Sequence, residues 1–552
     1  MNRRLITIVC LLTVSVTGCN NGGHAPAGLP SPLPSRPDAL AEAHDVTMED
    51  IAAALDGFEL SAATPPAQPL LIIGLDGITP FFFSDLLASG KLPNLQQLID
   101  EGASGVLRSS VIPSSVVAWT SAVTGFKPAG HAMVSFFRMQ PDGSLGLIDG
   151  RYRRRKAIWE YLTREERSAI VINVPGSYPP DPVNGLMIGG LLSPAQGSFT
   201  HPPELSPALR RLSYFTSLKP MQQLMKVGGD PFSSERRTAD INEAFTITFN
   251  RAKVGLYLYA RKPVDLFFIV FTLTDRLQHA RHIIPGEMLD DAYINLDRIV
   301  GQFLRRKPAG TPVLVFSDHG FTEYTRAFAV NRWLAEIGLL THADGQVHMD
   351  ATRVFAIDTV GNYLTLRLNV RDREDAGVVP VAEVPLLLAK VRDTLHRLVD
   401  PVGGTQVVDE IVTSFRDNDD AIPYGPDMTV VLNQKYMATS SLQPPASLVR
   451  LDPPVFDHHR DGFYVLAGPG IRHTSLDADI QDIAPTTMYL LGLPIPADCD
   501  GRCLTELIDS GSAAVPPPRL EETATERDAL HREVTSSGNE VMEYLRSLGY
   551  VR

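Results

Sequence analysis

Three runs of apolar residues along this chain each give way abruptly to polar residues. The runs are Leu70–Leu75, Val264–Phe271 (interrupted by Asp265) and Val313–Phe316. Continuous apolar runs of this length, bounded by turn residues, are typical of strands that are buried on both faces of a parallel sheet. The pattern therefore predicts an α/β protein built on a mainly parallel sheet.

The polar residues that follow these runs are of metal-binding types. Asp76 comes directly after the first run, and Asp318 and His319 come shortly after the third. After the second run, Asp275 and His279 are four residues apart, so a helix would place them on one face. Ligands of open α/β sheets bind beyond the carboxyl ends of the strands. We therefore expect these side chains to meet at one edge of the sheet.

Two further segments complete the pattern. His458 and His459 precede Gly462 and a fourth apolar run, Phe463–Ala467. Residues 113–125 contain two adjacent serines and end in a Thr-Gly pair. The first segment supplies another potential ligand, and the second supplies a potential nucleophile.

Taken in order, these segments resemble the alkaline phosphatase superfamily, most closely its type I phosphodiesterases, nucleotide pyrophosphatases and related phosphohydrolases. The shared motifs are a strand-ending Asp, a nucleophile loop, Asp-x-x-x-His, Ser-Asp-His-Gly and a late His before a Gly. The resemblance runs from about residue 68 to the C-terminus. It implies an alkaline-phosphatase-like sandwich, in which a mainly parallel sheet lies between helices and carries cap insertions.

The resemblance also implies a site with two divalent metal ions. The implied ligands are Asp76, Ser115, Asp318 and His319 for one ion, and Asp275, His279 and His458 for the other. Three imidazoles and three carboxylates suit zinc better than magnesium, with manganese and iron as alternatives. Two such ions can stabilise the attacking and leaving oxygens at phosphorus. The expected activity is hydrolysis of phosphodiesters or phosphomonoesters through a phosphoserine.

The nucleophile is placed by its distance from Gly125. In the family it lies ten residues before the Gly of a Thr-Gly pair and opens a helix, which selects Ser115 and leaves Ser114 as the alternative. Backbone N–H groups at a helix N-terminus favour phosphate oxygens. Nucleotide pyrophosphatases carry an Asn three residues after the nucleophile, where this chain has Ala118. Nucleotide diesters are therefore less strongly implied as substrates.

Three neighbours of these motifs are interpreted as structural. Trp119 is expected to pack in the core behind the nucleophile loop. His131 matches a family position without a defined metal role. His459 is expected to be solvated or to support its neighbour.

The N-terminus predicts export. Arg3 and Arg4 precede an apolar stretch, Leu5–Val16, that is too short to span a membrane. The four residues that end in Cys19 resemble a bacterial lipoprotein cleavage box, so residues 1–18 would be a signal peptide and Cys19 the lipidated residue. An ordinary secretory signal is the alternative. We expect a lipid-anchored protein of the bacterial envelope, at the outer membrane or the periplasmic face.

Composition predicts the domain organisation. Residues 19–67 are rich in Gly, Pro, Ser and Ala and indicate a flexible tether, with room for one short helix. Residues 68–552 are assigned to the catalytic domain, with cap insertions around 196–255 and 340–435. The segments predicted to be regular within the second insertion are strands at Tyr363–Val370 and Met428–Leu432 and a helix at Val384–Leu398.

Charge and cysteine content limit the partners. The formal net charge is −13, which does not favour nucleic-acid binding. The expected partners are a phosphate-ester substrate and, through Cys19, the membrane. Cys499 and Cys503 could form a small disulfide loop in an oxidising compartment, or remain reduced, or bind zinc as a pair.

Two other functions remain as alternatives. One is a phosphotransferase of the same superfamily that passes the phosphoryl group to an alcohol. The other is a catalytically inactive envelope protein that keeps the fold for binding. A complete set of ligands argues against the second alternative. Neither the leaving group nor the oligomeric state follows from the sequence.

Overall fold

The computed structural model describes most of the chain between residues 46 and 521. The described residues are 46–58, 69–139, 145–194, 197–214, 234–281, 284, 286–343, 345–413, 422, 424–509 and 519–521. Cys19, the predicted signal peptide and most of the predicted tether lie outside them. Among the described residues, no helix combines the length and hydropathy needed to cross a membrane.

The helices lie mainly between the strands in chain order. They are α1 (Met48–Leu55), α2 (Pro80–Ala88), α3 (Pro93–Glu101), α4 (Ser115–Thr124), α5 (Pro128–His131), α6 (Ile158–Arg164), α7 (Leu205–Arg211), α8 (Ser234–Arg261), α9 (Leu273–His279), α10 (Gly286–Leu304), α11 (Val330–Glu336), α12 (Val384–His396) and α13 (Ile483–Leu490). The helix α1 falls within the predicted tether.

The strands belong to one large sheet and several small ones. They are β1 (Leu70–Leu75), β2 (Ala103–Arg108), β3 (Phe137–Met139), β4 (Leu145–Leu147), β5 (Ala169–Ile172), β6 (Gly185–Ile188), β7 (Thr200–His201), β8 (Leu266–Phe271), β9 (Val313–Phe316), β10 (Gly320–Ala329), β11 (His342–Ala343), β12 (Gln346–Val347), β13 (Val354–Val360), β14 (Tyr363–Leu368), β15 (Val408–Thr413), β16 (Met428–Leu432), β17 (Tyr436–Thr439), β18 (Leu448–His459), β19 (Asp461–Ala467), β20 (Thr474–Ser475), β21 (Ala478–Asp479), β22 (Pro494–Pro496) and β23 (Arg519–Glu521).

The large sheet confirms the predicted α/β class. Its order is β20-β2-β19-β9-β1-β8-β5-β6-β7, with β21 beside β2. Strand β1 runs parallel to both of its neighbours, with Gly74 opposite Val270 of β8 and Phe316 of β9. Strand β19 runs antiparallel to both β9 and β2. Every residue of β1 and β8 is buried, as their continuous apolar runs predict.

One hydrophobic cluster joins this sheet to the helices that cover it. It includes Trp119 of α4, Trp159 of α6 and Met488 of α13, together with inward side chains of β1, β8 and β9. The close approach of α4 depends on a glycine. A Cβ at Gly74 would lie 2.3 Å from the Trp119 ring, so the strand that carries Asp76 and the helix that begins at Ser115 pack in direct contact.

A second sheet was not predicted from the sequence. Strand β10 pairs in parallel with β17 and in antiparallel with β18. The register places Phe321 opposite His458. The sequence pattern indicated a strand only from Phe463, whereas β19 begins at Asp461 and the residues before it form the long strand β18. The sequence of β18 mixes polar and apolar residues without regular alternation. It therefore carries no local strand signal, and the strand forms through pairing with the distant segment β10.

The predicted insertion around 340–435 contains its own sheet. Its antiparallel order is β13-β14-β16-β15, and its side chains form a separate hydrophobic cluster. The expected strands match β14 and β16, and the expected helix matches α12, which ends at His396 rather than Leu398. In the other predicted insertion, around 196–255, residues 215–233 lie outside the described part of the chain.

Candidate metal centre and nucleophile

The carboxyl ends of β1 and β9 bring three of the predicted ligands together. Asp76, Asp318 and His319 are buried. The Nε2 atom of His319 lies 3.6 Å from Asp76 Oδ1 and 3.4 Å from Asp318 Oδ2. Ligand atoms of these three residues all lie within 4.8 Å of one another. This spacing can hold a metal ion.

The helix α9 follows β8 and carries the next pair. Asp275 Oδ1 lies 3.6 Å from Nε2 of His279 on the same face of the helix. His458, near the end of β18, joins them. Its Nε2 lies 3.2 Å from Asp275 Oδ1 and 2.9 Å from His279 Nε2.

The two sets of ligands are adjacent. Asp275 Oδ1 lies 3.9 Å from His319 Nε2, and the rings of His319 and His458 stack with their centroids 3.8 Å apart. Asp275, His319 and His458 themselves form a further group with metal-binding spacing. The six predicted Asp and His ligands therefore lie in one continuous cluster.

Ser115 is the serine that reaches this cluster. It is the first residue of α4, and its Oγ lies 3.4 Å from Asp76 Oδ1 and 3.3 Å from His319 Nε2. Ser114 occupies the N-cap position, but its side chain makes no capping hydrogen bond. Its buried Oγ has no hydrogen-bond partner among the described residues. Ser114 Oγ therefore lacks the contacts that Ser115 Oγ makes with Asp76 and His319.

The orientation of two imidazoles is set by backbone carbonyls. The Nδ1 atom of His319 lies 3.1 Å from the carbonyl oxygen of Gly320, and that of His458 lies 2.6 Å from the carbonyl oxygen of Pro113. Because a carbonyl only accepts, Nδ1–H is the donor in each pair. The Nε2 atoms of the neutral rings therefore carry lone pairs directed at the cluster, which is the arrangement of metal-binding histidines.

Burial and repulsion between like charges shift the pKa values of Asp76, Asp318 and His319. Burial, with the charge of Asp275, raises the pKa of Asp76 to about 7. Burial, followed by the charges of Asp76 and Asp275, raises the pKa of Asp318 well above its ordinary value. Burial, with the charge of His458 as the next cause, lowers the pKa of His319 well below its ordinary value.

The donor set fits divalent metal ions. Oδ2 of Asp318 and Oδ1 of Asp275 are buried and have no hydrogen-bond partner among the described residues. Both oxygens face lone-pair nitrogens. A cation placed among them would relieve repulsion between the carboxylates and bind the free lone pairs.

The structure adds two residues to the predicted site. Trp119 was interpreted as core packing, but its Nε1–H also donates to Asp76 Oδ2 over 3.1 Å. Its position one helical turn after Ser115 was the available signal. Asp457 forms a third group with His279 and His458. It immediately precedes His458, and its Oδ1 accepts a 2.7 Å hydrogen bond from the backbone N–H of His458.

The other highlighted histidines lie outside the ligand groups. His131 is buried, and its Nε2 lies 2.9 Å from Ser121 Oγ, while its Nδ1 accepts a 3.1 Å hydrogen bond from the N–H of Met133. His459 Nδ1 accepts from the N–H of Asp461 over 3.2 Å. These contacts agree with structural roles for both.

The two remaining cysteines are free thiols in this structure. No disulfide joins Cys499 to Cys503. The Cys499 thiol instead donates to the carbonyl of Gly125 over 3.0 Å, at the end of α4. Burial raises the pKa of both thiols to about 12, so they stay protonated near neutral pH.

Comparisons with known proteins found one matching family and several similar structures. A family model described as type I phosphodiesterase / nucleotide pyrophosphatase matches residues 70–460. Human ectonucleotide pyrophosphatase/phosphodiesterase 5 superposes with a TM-score of 0.51 at 12% identity, covering 80% of this chain and 100% of that one. Phosphonoacetate hydrolase from Sinorhizobium meliloti, crystallised with phosphonoformate, gives 0.48 at 16%, covering 79% and 98%. No curated protein sequence matches the chain.

Proposed function

The chain belongs to the type I phosphodiesterase and nucleotide pyrophosphatase family and is a phosphoric ester hydrolase, and from this premise we propose that Ser115 forms a phosphoserine at a site for two divalent metal ions. The observation that carries the proposal is the position of Ser115 Oγ. It lies between a buried carboxylate and a lone-pair imidazole nitrogen, 3.4 Å from Asp76 Oδ1 and 3.3 Å from His319 Nε2.

The proposed ligands divide into two sets. Asp76, Ser115, Asp318 and His319 would hold one ion. Asp275, His279 and His458 would hold the other, with Asp457 close enough to His279 and His458 to contribute. The mixture of imidazoles and carboxylates favours zinc over magnesium. When bound, two such ions would lower the pKa of the serine hydroxyl and stabilise negative charge on the attacking and leaving oxygens.

The reaction we propose has two displacements at phosphorus. In the first, Ser115 Oγ loses its proton and bonds to phosphorus, and the bond to the alcohol oxygen of the ester breaks as that oxygen takes up a proton. In the second, water loses a proton and bonds to the same phosphorus, and the bond to Ser115 Oγ breaks as the serine regains its proton. The serine is regenerated, and the net change is hydrolysis of one ester bond.

The start of α4 can bind the phosphate oxygens. The N–H of Ala118 is bonded to the carbonyl of Ser114, so this residue closes the first intrahelical hydrogen bond. The three N–H groups before it, from Ser115 to Val117, have no helical carbonyl to reach. They and the positive end of the helix dipole favour a negatively charged phosphate beside Ser115.

Backbone contacts keep the remaining groups in position. The N–H of Asp275 donates to the carbonyl of Asp76 over 3.1 Å, and Thr274 Oγ1 donates to the same carbonyl over 2.6 Å. Gly77 N–H donates to Asp318 Oδ1 over 3.3 Å. These bonds connect three separate segments, so their ligands hold their spacing relative to Ser115.

The substrate is proposed as a phosphate ester, either a diester or a monoester. Ala118 is buried in α4 and has no side-chain amide. The structure therefore gives no separate support for a nucleotide substrate. We also retain, from the sequence, the proposals that residues 68–552 are the catalytic domain and that Cys19 anchors it in the bacterial envelope.

The test is acid-quenched turnover combined with a substrate panel. We expect the zinc-supplemented protein to release 4-nitrophenol from 4-nitrophenyl phosphate or from bis(4-nitrophenyl) phosphate, and the ratio of the two rates assigns it as a phosphatase or a diesterase. Quenching during turnover of a labelled substrate should trap phosphate on Ser115. Phosphate trapped on another residue, or turnover that Ser115→Ala leaves intact, would refute the proposal.

A further inference from the structure

Four side chains form a cationic and aromatic cluster outside the proposed ligand set. We call Arg138, Tyr152, Arg154 and Tyr424 the arginine–tyrosine cluster. The Cζ atom of Arg138 lies 5.2 Å from the ring centroid of Tyr152. The rings of Tyr152 and Tyr424 meet edge to face with their centroids 5.4 Å apart. All four residues are partly exposed, so a ligand can reach them.

Among the described residues, Arg138 has no anionic partner of the kind that the neighbouring arginines have. Ion pairs join Arg151 to Asp149, Arg153 to Glu160 and Asp181, and Arg155 to Asp498. Within the described part of the chain, no carboxylate lies at ion-pair distance from Arg138, and its Nε is buried without a hydrogen-bond partner. Its cross-strand neighbour is Gly146, which has no side chain to offer. Desolvating a guanidinium without an anion is unfavourable.

Both arginines act on the Tyr424 hydroxyl. Burial raises the pKa of Tyr424, and the charges of Arg154 and Arg138 act in the opposite direction. The same hydroxyl donates to the carbonyl oxygen of Ala132 over 3.2 Å. Tyr424 therefore holds the end of the insertion against the catalytic core, with positive charge around it.

Tyr424 connects the cluster to α4, the helix that begins at Ser115. Its hydroxyl donates to the carbonyl oxygen of Ala132, the residue after His131. The Nε2 atom of His131 lies 2.9 Å from Ser121 Oγ of α4.

Tyr152 lies near the first turn of the same helix. A Cβ at Gly150, two residues before Tyr152, would lie 3.0 Å from the carbonyl oxygen of Gly176, and a Cβ at Gly176 would lie 3.3 Å from Val116 Cγ1. The segments that carry the cluster therefore pack on the helix that carries the proposed nucleophile, so the cluster is placed to meet a substrate that extends beyond its scissile phosphate.

We propose that the arginine–tyrosine cluster is a subsite for a second anionic group, a phosphate or a carboxylate, carried by the substrate beyond the scissile phosphate. Arginine binds either group through paired, charge-assisted hydrogen bonds. The tyrosine rings offer an apolar surface to the atoms that connect the two anionic groups. This inference rests on the proposed function, because it concerns the substrate of the same site.

The experiment measures inhibition by compounds that differ only in the second anion. Zinc-supplemented protein hydrolyses whichever 4-nitrophenyl ester it prefers, in the presence of alkyl monophosphates or of α,ω-alkanediol bisphosphates with spacers of increasing length. We expect one spacer length to inhibit about tenfold more strongly than its monophosphate, as one new charge-assisted hydrogen-bonded pair would give. Phosphorylated ω-hydroxy acids of the same lengths show whether a carboxylate serves as well.

Two variants make the result specific to the subsite. Arg138→Gln should reduce the preference for the bisphosphate to near unity, and Arg138→Lys should retain part of it. The control is Arg164→Gln, since Arg164 is an exposed arginine whose Cζ also lies 5.2 Å from a tyrosine ring, that of Tyr161. Arg164→Gln should keep the full preference.

The outcomes separate this inference from the proposed function. Ester hydrolysis that depends on Ser115 but is inhibited equally by monophosphates and bisphosphates of every length would overturn the subsite alone. A preference that survives in Arg138→Gln would overturn it too. Hydrolysis that does not depend on Ser115 would overturn both proposals.

Discussion

The Nε2 atoms of His279 and His458 lie 2.9 Å apart, although no more than one of them can donate a proton to the other. The Nδ1–H of His458 is already given to the carbonyl of Pro113, so the neutral ring presents a lone pair at Nε2. Asp275 Oδ1 lies 3.2 Å from the same nitrogen. Two nitrogens and a carboxylate oxygen that converge in this way are suited to share a cation.

Metal content is the first prediction. The purified protein is expected to hold close to two zinc or similar ions per chain, because two sets of ligands are present. His458→Ala and Asp318→Asn should lower metal content and ester hydrolysis together, as measured by elemental analysis and 4-nitrophenol release. His459→Ala is the matched control, since His459 lies outside the ligand groups. Absence of transition metal after growth in zinc-rich medium would contradict the mechanism.

The two adjacent serines give the second prediction. Ser115→Ala should reduce turnover on the order of 10³-fold or more, about 4 kcal/mol at the transition state, because the covalent nucleophile is lost. Ser114→Ala should have a much smaller effect, since Ser114 Oγ has no hydrogen-bond partner among the described residues, whereas Ser115 Oγ lies beside Asp76 and His319. Both rates come from steady-state kinetics. Equal losses in the two variants would show that the nucleophile is misplaced.

The third prediction concerns the indole that bonds to Asp76. Trp119→Phe removes part of a buried ring and leaves Asp76 Oδ2 without its donor, and should lower the unfolding free energy by about 1–3 kcal/mol. Loss of such a supporting bond should also weaken metal binding by roughly 10- to 100-fold, measured by competition with a chelator. Trp159→Phe is the control, because it removes an equivalent 2.8 Å bond to Asp181. It should destabilise the protein without changing metal affinity.

The fourth prediction is a pH dependence of stability that originates at His131. Burial, followed by the charge of Arg153, lowers its pKa from 6.5 to about 3. The folded protein therefore keeps the ring neutral while the unfolded chain binds a proton below pH 6.5. Stability from this group is present above pH 6.5 and is lost as the pH falls towards 3, by about 2 kcal/mol between pH 7 and pH 5.

The measurement is urea unfolding at a series of pH values. His131→Gln retains an N–H that can reach Ser121 but does not titrate, so its stability should fall less steeply on acidification than that of the unmodified protein. His342→Gln, at a partly exposed position, is the control and should keep the original slope. Parallel slopes for the unmodified protein and His131→Gln would disprove the assignment.

The fifth prediction concerns anchoring, which rests on the sequence alone. Cys19→Ser should abolish incorporation of radiolabelled fatty acid and release the enzyme in soluble form or leave an uncleaved precursor. Cys10→Ser, within the apolar stretch of the signal, should be lipidated normally. Equal labelling of Cys19→Ser and the unmodified protein would mean that the cleavage box is misread.

Much of the site was predictable because it depends on local patterns. Apolar runs identify buried strands, and a parallel sheet brings the residues after its strands to one edge. Asp76, Asp318 and His319 could therefore be placed together before any tertiary contact was known. The pair Asp275 and His279 needed only the period of a helix.

The remaining features depend on contacts between segments that are distant in sequence. The bond from Trp119 to Asp76 requires the close approach of α4 to β1 at Gly74. The pairing that brings His458 opposite Phe321 requires a strand whose own residues show no clear alternation. The position of Asp457 and the bond from the Cys499 thiol to the carbonyl of Gly125 were equally hidden.

The sequence by itself thus determined which residue types end the buried strands and open the nucleophile helix, because period and spacing are properties of neighbouring residues. Only the tertiary structure decided which nitrogen of His319 and His458 faces the acids, which serine reaches them and which arginine stacks on Tyr152. Those outcomes are set by hydrogen bonds and packing across long sequence separations, for which a single chain of residues carries no local signal.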